Sequence, residues 1–289
     1  MIARAPQDKD VETLPSQEPR AVVAPLASVS GRGGLEAVAP PWQRQVLRRI
    51  PWSLRRWFDP HHYPRYCFVR DAAARVRPGE IVLDAGAGEC PFKPLFAHAH
   101  YIGVDSCVGN DEWDYSQLGL VSDLFRLGVR PNSVDHVLCN DVLEHVPDPG
   151  ALIAALYEVL KPGGNLFLSA PQGWGQHQNP HDYFRFTSHA LRMMFERAGF
   201  EVQDIRPLGG FFYYFANRVQ MLPIMLFPPS PRLWVEWVRL PFKVLAVGLF
   251  GVLLPLLIMP LDRLDADKNT TLNYACWGRK PAPPARSAR

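Results

Sequence analysis

The chain has 289 residues, 47% of them hydrophobic, with 31 Lys plus Arg against 28 Asp plus Glu for a net charge of +3. This is an ordinary globular composition, long enough for a sizeable core, and the charge is too balanced to argue for nucleic acid as a partner. Five cysteines (Cys67, Cys90, Cys107, Cys139 and Cys276) with no CxxC or CxxH spacing exclude a disulfide framework and a zinc knuckle, and point to a reducing compartment.

In chain order, Met1–Asp10 has no apolar run of the kind a secretory signal needs, so a cytoplasmic location is expected. Residues 1–40, rich in Pro, Ala, Ser and Gly without helical or strand period, read as a disordered leader. Residues 41–65 interleave Leu47, Ile50, Trp52, Leu54, Trp57 and Phe58 with Arg48, Arg49, Arg55 and Arg56. That pattern suits a basic aromatic segment at a membrane interface, and equally a surface helix capping the next domain. From 66 to 210, joined by 266–280, strand and helix patterns alternate as in an α/β fold. Expected strands are Ile81–Asp84, Tyr101–Asp105, Gly119–Ser122, His136–Asn140, Asn165–Ser169, 201–206 and Thr271–Trp277. Helices are expected over Gly150–Leu160 and Ser188–Ala198, the first stopped by a turn at Pro162-Gly163-Gly164. Residues 281–289 read as a disordered tail.

The run EIVLDAGAGEC (Glu80–Cys90) is an apolar strand that ends in Asp84 and a turn with Gly86 and Gly88. Glycines there let backbone N–H groups approach a ligand that a Cβ would exclude. A pyrophosphate-binding G-x-G-x-x-G would need a third glycine at position 91, which is Pro91, and there is no P-loop lysine, so a nicotinamide-dependent oxidoreductase is disfavoured. The D-x-G-x-G pattern, with YIGVD ending in Asp105, SVDHVLCNDVLEHV, and LKPGG followed by NLFLSAP, resembles the class I S-adenosylmethionine-dependent methyltransferases of the type 11 group from about Tyr66 to Phe200. The resemblance implies a Rossmann-like, doubly wound, seven-stranded sheet with a late reversed strand. It further implies S-adenosylmethionine as cofactor, with Gly86 and Gly88 along the methionine part, Asp84 near its amino end, Asp105 on the ribose hydroxyls, Asp123 near the adenine, and Asn140 at the fourth strand end. The family often has a third glycine where this chain has Cys90.

Methyl transfer from a sulfonium needs alignment more than it needs a metal or a base, since the leaving group is a neutral thioether. Candidate acid/base residues are Asp141 and His145, which follow the fourth strand; Glu144 and His145 can equally open a helix. The loop GWGQHQNPHDYFRFT (Gly173–Thr187) is dense in groups that grip a polar acceptor, and His181 and Tyr183 are the acceptor-side candidates. His177 and His181 share a proline-interrupted loop with no companion cysteine, so no metal site is expected.

Residues 211–265 form an apolar insert centred on the uncharged Val244–Leu261. Eighteen helical residues at about 1.5 Å each just reach across a hydrocarbon core of about 30 Å. The Leu, Ile, Val and Phe content of the run favours insertion by roughly 4 to 7 kcal/mol before Pro255 and the flanks subtract. If the last strand rejoins the same sheet, a single crossing is excluded. A monotopic insertion, a buried or dimer-forming helical pair and a two-span hairpin stay open, and the prolines favour broken, shallow helices. The expectation is therefore a methyltransferase at the cytoplasmic membrane face, acting on an amphiphilic, lipid-linked or glycan-linked acceptor without nucleic acid as partner. A non-catalytic docked adaptor and a methyltransferase of a soluble small molecule are the alternatives.

Overall fold

The computed structural model describes residues 50–108 and 113–282. The expected leader, residues 41–49 and residues 283–289 lie outside the described residues. The first element, α1 (Trp52–Arg55), is a single turn, and α2 (His62–Ala73) begins within the stretch expected to be interfacial. Leu54 and Trp57 are exposed there, whereas Arg55 and Asp59 are buried and paired at 3.8 Å. In α2, Phe68, Val69, Ala72 and Ala73 recur at helical spacing and are buried.

Strands β1 (Ile81–Ala85), β2 (His100–Asp105), the short β3 (Leu120–Val121) and β4 (Val134–Asn140) come next. Asp148 accepts the Ala151 N–H at 2.9 Å and Pro149 opens α3 (Pro149–Val159), a standard helix start. The chain then runs directly into β5 (Leu160–Pro171). The turn expected at Pro162-Gly163-Gly164 is instead a bulge inside this strand. Val134 pairs with Leu160 and His136 with Asn165, and Gly163 absorbs the extra residues at φ +84°. Thr187 caps α4 (Ser188–Arg197), which leads to β6 (Glu201–Pro207). After the insert, β7 (Asn273–Arg279) closes the sheet, two residues later than expected.

The seven strands lie in the order β3-β2-β1-β4-β5-β7-β6, parallel except for β7, which runs antiparallel between β5 and β6. Successive residues of the central strands face opposite ways, as the two-residue period requires. Val82, Leu138 and Phe167 pack with Phe68 and Ala72 of α2, while Leu83, Val137, Cys139, Leu166 and Leu168 pack with Leu152, Leu156, Leu191 and Phe195 of α3 and α4. The result is a three-layer sheet in which strand order reverses between β1 and β4, the point where such sheets bind ligands at their carboxyl ends.

The insert is a helical hairpin. Its outward arm is α5 (Phe211–Gln220) and α6 (Leu222–Leu226), and its return arm is one 32-residue helix, α7 (Leu233–Leu264). Asp262 and Asp265 fasten the two roots together. The Asp262 carboxylate accepts the Gly210 N–H at 2.9 Å and pairs with Lys268, and Asp265 accepts the Phe211 N–H at 2.6 Å, so two acids sit at the positive end of α5. The prolines do not break α7 as expected. A π-helical turn at Val247–Leu253 precedes Pro255, and the Gly251 carbonyl, which loses its helical donor to Pro255, accepts from Gln220 Nε2 at 3.1 Å. The two arms join the sheet side by side, through the end of β6 and the start of β7, where Pro207 lies opposite Tyr274.

Candidate active site

The carboxyl ends of β1, β2 and β4 bring the expected cofactor residues to one edge of the sheet. The turn after β1 exists because Gly86 holds φ +79° and donates its N–H to the Val104 carbonyl at 2.8 Å; a Cβ on Gly86 would lie 2.3 Å from Val142 Cγ2. Gly88, at φ +50°, donates its N–H to Asp105 Oδ2 at 2.9 Å, and Cys107 donates to Asp105 Oδ1 at 2.8 Å. The Asp105 carboxylate is thereby locked at the strand end with lone pairs left for a diol. Cys90, where a third glycine was noted as common, takes a left-handed φ of +54°, and its Sγ fills the space that the missing side chain of Gly103 leaves.

Asp84 is 2% exposed, and the Tyr101 hydroxyl donates to it at 2.5 Å. Burial above all, with the Asp105 charge adding to it, pushes the Asp84 carboxyl up to about 7 against the opposing pull of that hydrogen bond. Asp123, past β3, is exposed and accepts the Phe125 N–H at 2.9 Å, so it also shapes its own turn. Asn140 ends β4 with both side-chain polar atoms buried and without a partner among the described residues. An orphaned amide beside a glycine cradle and a strand-end carboxylate is what a polar ligand with a diol would satisfy, and the donor set fits S-adenosylmethionine.

The acceptor-side candidates separate into a floor and a rim. Asp141, at φ +51°, is ion-paired with Arg65 and accepts from Ser169 Oγ at 2.7 Å and Asn273 Nδ2 at 2.6 Å. These three contacts make Asp141 the point that ties the turn after β4 to β5, β7 and α2. His145 donates from Nδ1 to the His181 carbonyl at 2.5 Å, and its Nε2 lies 3.1 Å from His177 Nε2. Burial lowers the His145 pKa and raises that of the fully buried Glu144, whose Oε1 is 3.7 Å from His145 Nε2. Glu144, His145 and His177 form one cluster, which the sequence reading, looking only along the loop, did not assemble. His181 contributes its carbonyl to that cluster, while its ring is exposed and pairs with the Tyr183 hydroxyl at 3.0 Å. His181 and Tyr183 therefore stand at the rim.

The Gly173–Thr187 loop is clamped by Arg185, which holds Asp182 at 2.7 and 2.8 Å and the Trp174 and Gly175 carbonyls at 2.9 and 2.7 Å. Trp174 stacks on His61 at 3.9 Å and lies under Arg218 of α5, which also covers Tyr214. The loop thus meets the root of the hairpin. Trp174 belongs to the loop singled out in the sequence and Arg218 to the insert, and the fold brings both together with His61, Arg65 and Asn273.

Strand order, the glycine turn and strand-end carboxylates together define a doubly wound nucleoside-cofactor fold of the methyltransferase class. The family model described as a methyltransferase domain matches residues 60–205, and the chain belongs to that family of S-adenosylmethionine-dependent enzymes. It is 34% identical over 134 residues to a ubiquinone biosynthesis O-methyltransferase of Hahella chejuensis, covering 41% of this chain and 55% of that one. It is 29% identical over 197 residues to the protein of that name from Nitrosospira multiformis, covering 55% and 81%. The chain thus spans little more than half the length of the first of these relatives. A solved S-adenosylmethionine-dependent methyltransferase from Archaeoglobus fulgidus aligns at 16% identity with a TM-score of 0.49, over 79% of this chain and 99% of that one.

Proposed function

We propose that the chain transfers a methyl group from S-adenosylmethionine to an oxygen of a small amphiphilic or lipid-linked acceptor, and that the helical hairpin holds the enzyme against the cytoplasmic face of a membrane. Methyl transfer follows from the family; oxygen as the receiving atom is drawn from the names of the relatives. When bound, the cofactor supplies an electrophilic methyl whose departure leaves a neutral thioether. Gly86, Gly88, Asp84, Asp105, Asp123 and Asn140 hold it, and the loop from Gly173 to Thr187 orients the acceptor. The His145–His177 floor and the His181–Tyr183 rim offer it polar contacts.

The observation that carries the membrane part is the apolar surface of α7. An 18-residue window of mean hydropathy 2.6 is only 17% buried, too little for a core helix. Leu233, Trp234, Trp237, Val238 and Phe242 are all exposed, Leu233 by 78%. Arg232, Arg239 and Lys243 lie among the exposed apolar residues, the mixture an interfacial helix uses. The hairpin root touches the acceptor loop through Arg218 and Trp174, so an acceptor dissolved in the membrane would arrive beside the floor.

The test is flotation of the full chain with phosphatidylcholine vesicles containing phosphatidylglycerol, together with methyl incorporation from radiolabelled S-adenosylmethionine into lipid extracts. The wild type is expected to float and to label the organic phase, and Trp234→Glu/Trp237→Glu/Val238→Glu to stay in the bottom fraction. A wild type that neither floats nor labels lipid, but methylates a water-soluble acceptor, would establish the soluble small-molecule reading instead.

A further inference from the structure

We propose that Glu144, His145 and His177 form a binding site for one divalent cation of the zinc type, which bridges the turn after β4 to the acceptor loop. The backbone carbonyls beside the two imidazoles fix their tautomers. A backbone carbonyl only accepts, so the His145 Nδ1 atom facing the His181 carbonyl at 2.5 Å carries a hydrogen. His177 Nδ1 faces the Gly175 carbonyl at 3.1 Å and carries one for the same reason. Each imidazole in its neutral form then presents a bare lone pair at Nε2, and the two Nε2 atoms lie 3.1 Å apart with the rings nearly perpendicular. Two acceptors at that distance repel unless a positive centre lies between them.

Donor geometry suits a metal ion. Two imidazole nitrogens bound at about 2.0–2.1 Å in tetrahedral arrangement lie roughly 3.3 Å apart, close to the spacing found. A third donor comes from Glu144, 1% exposed, with Oε2 lacking any partner among the described residues and Oε1 3.7 Å from His145 Nε2. The three ligand atoms lie within 4.8 Å of one another. Both histidines already have the outer contacts that orient metal-bound imidazoles, an Nδ1–H donated to a carbonyl, and the His177 N–H is held by Asp182 at 2.9 Å. Two nitrogens and a carboxylate oxygen favour zinc, cobalt or nickel over magnesium or calcium, and leave a fourth coordination position open. Because His145 and His177 come from different loops, bound metal would pin the acceptor loop to the sheet.

The site is independent of the acceptor's identity, so its test needs no activity. Chelator-treated full-length chain is titrated with Zn²⁺ by calorimetry and with Co²⁺ by visible absorption. One ion per chain is expected, with a d–d spectrum typical of low coordination number. Affinity is expected to fall at least tenfold in His145→Ala and His177→Ala, and to be unchanged in His181→Ala, which keeps the backbone carbonyl that orients His145. Matching metal-free circular dichroism melts would show that the variants fold, and His177→Gln serves if the alanine variant does not. No uptake near pH 7.5 would leave a shared proton between the imidazoles and overturn the proposal, as would binding undiminished in both His145 and His177 variants.

Discussion

Asp84 sits at the point where burial and chemistry compete. Its carboxyl titrates at about 7, so it is mostly protonated at pH 6, and a positively charged group brought beside it favours the ionised form. Affinity for S-adenosylmethionine is therefore expected to rise between pH 6 and 8, with proton release visible as buffer-dependent heats in calorimetry. Asp84→Asn should flatten that profile. Glu80 works in the opposite sense. Burial alone would raise its pKa, yet hydrogen bonds from the Arg77 backbone, His136 and the Arg77 side chain outweigh it and bring the carboxyl down to about 2. Its folded pKa is depressed, so its contribution is complete above the ordinary carboxylate range and is lost as pH falls from about 4.5 to 2. Glu80→Gln should shrink the difference between melting temperatures measured at pH 7 and pH 3. Of these residues, Asp84, Gly86, Gly88 and Asp105 were legible in the sequence because a strand end and its turn are local. The Arg65–Asp141 and Asn273–Asp141 contacts were not, since they join residues 76 and 132 positions apart. The meeting of His177 with His145 depends likewise on how a 15-residue loop folds back over a turn 32 positions earlier.

Elements succeed or fail here on single backbone positions. The turn after β1 admits no side chain at residue 86, because φ is +79° and Val142 occupies the space. Gly86→Ala is expected to abolish measurable cofactor binding while lowering the thermal midpoint by several degrees. Strand and helix patterning was readable through most of the sheet; every expected strand exists with its ends moved by a few residues. What patterning missed at Pro162-Gly163-Gly164 was a bulge, because glycine at positive φ serves a turn and a bulge equally well. In the insert, prolines do interrupt the outward arm, at Pro223 and over Pro228–Pro231, but not α7. A proline breaks a helix chiefly by orphaning the carbonyl four residues earlier, and at Pro255 that carbonyl, on Gly251, is met by Gln220 from the opposing arm. Gln220→Leu leaves it unpaired and should cost about 1–3 kcal/mol in denaturant unfolding, an effect no scan of α7 alone would reveal.

For the whole molecule, the sheet brings the candidate cofactor residues together at its strand ends, and the hairpin adds an apolar arm whose α5 meets the Gly173–Thr187 loop. Asp262 and Asp265 join the arm's two ends beneath α5, so the arm leaves and rejoins the sheet at one place. The methyl-transfer reading depends first on the sheet holding its cofactor. The most direct test is calorimetric titration of S-adenosylmethionine into detergent-purified full-length chain and into Asp105→Ala. Micromolar binding to the wild type and its loss in the variant are expected, with both proteins folded by circular dichroism. Absence of binding to the folded wild type, or equal binding to Asp105→Ala, would contradict the methyl-transfer reading.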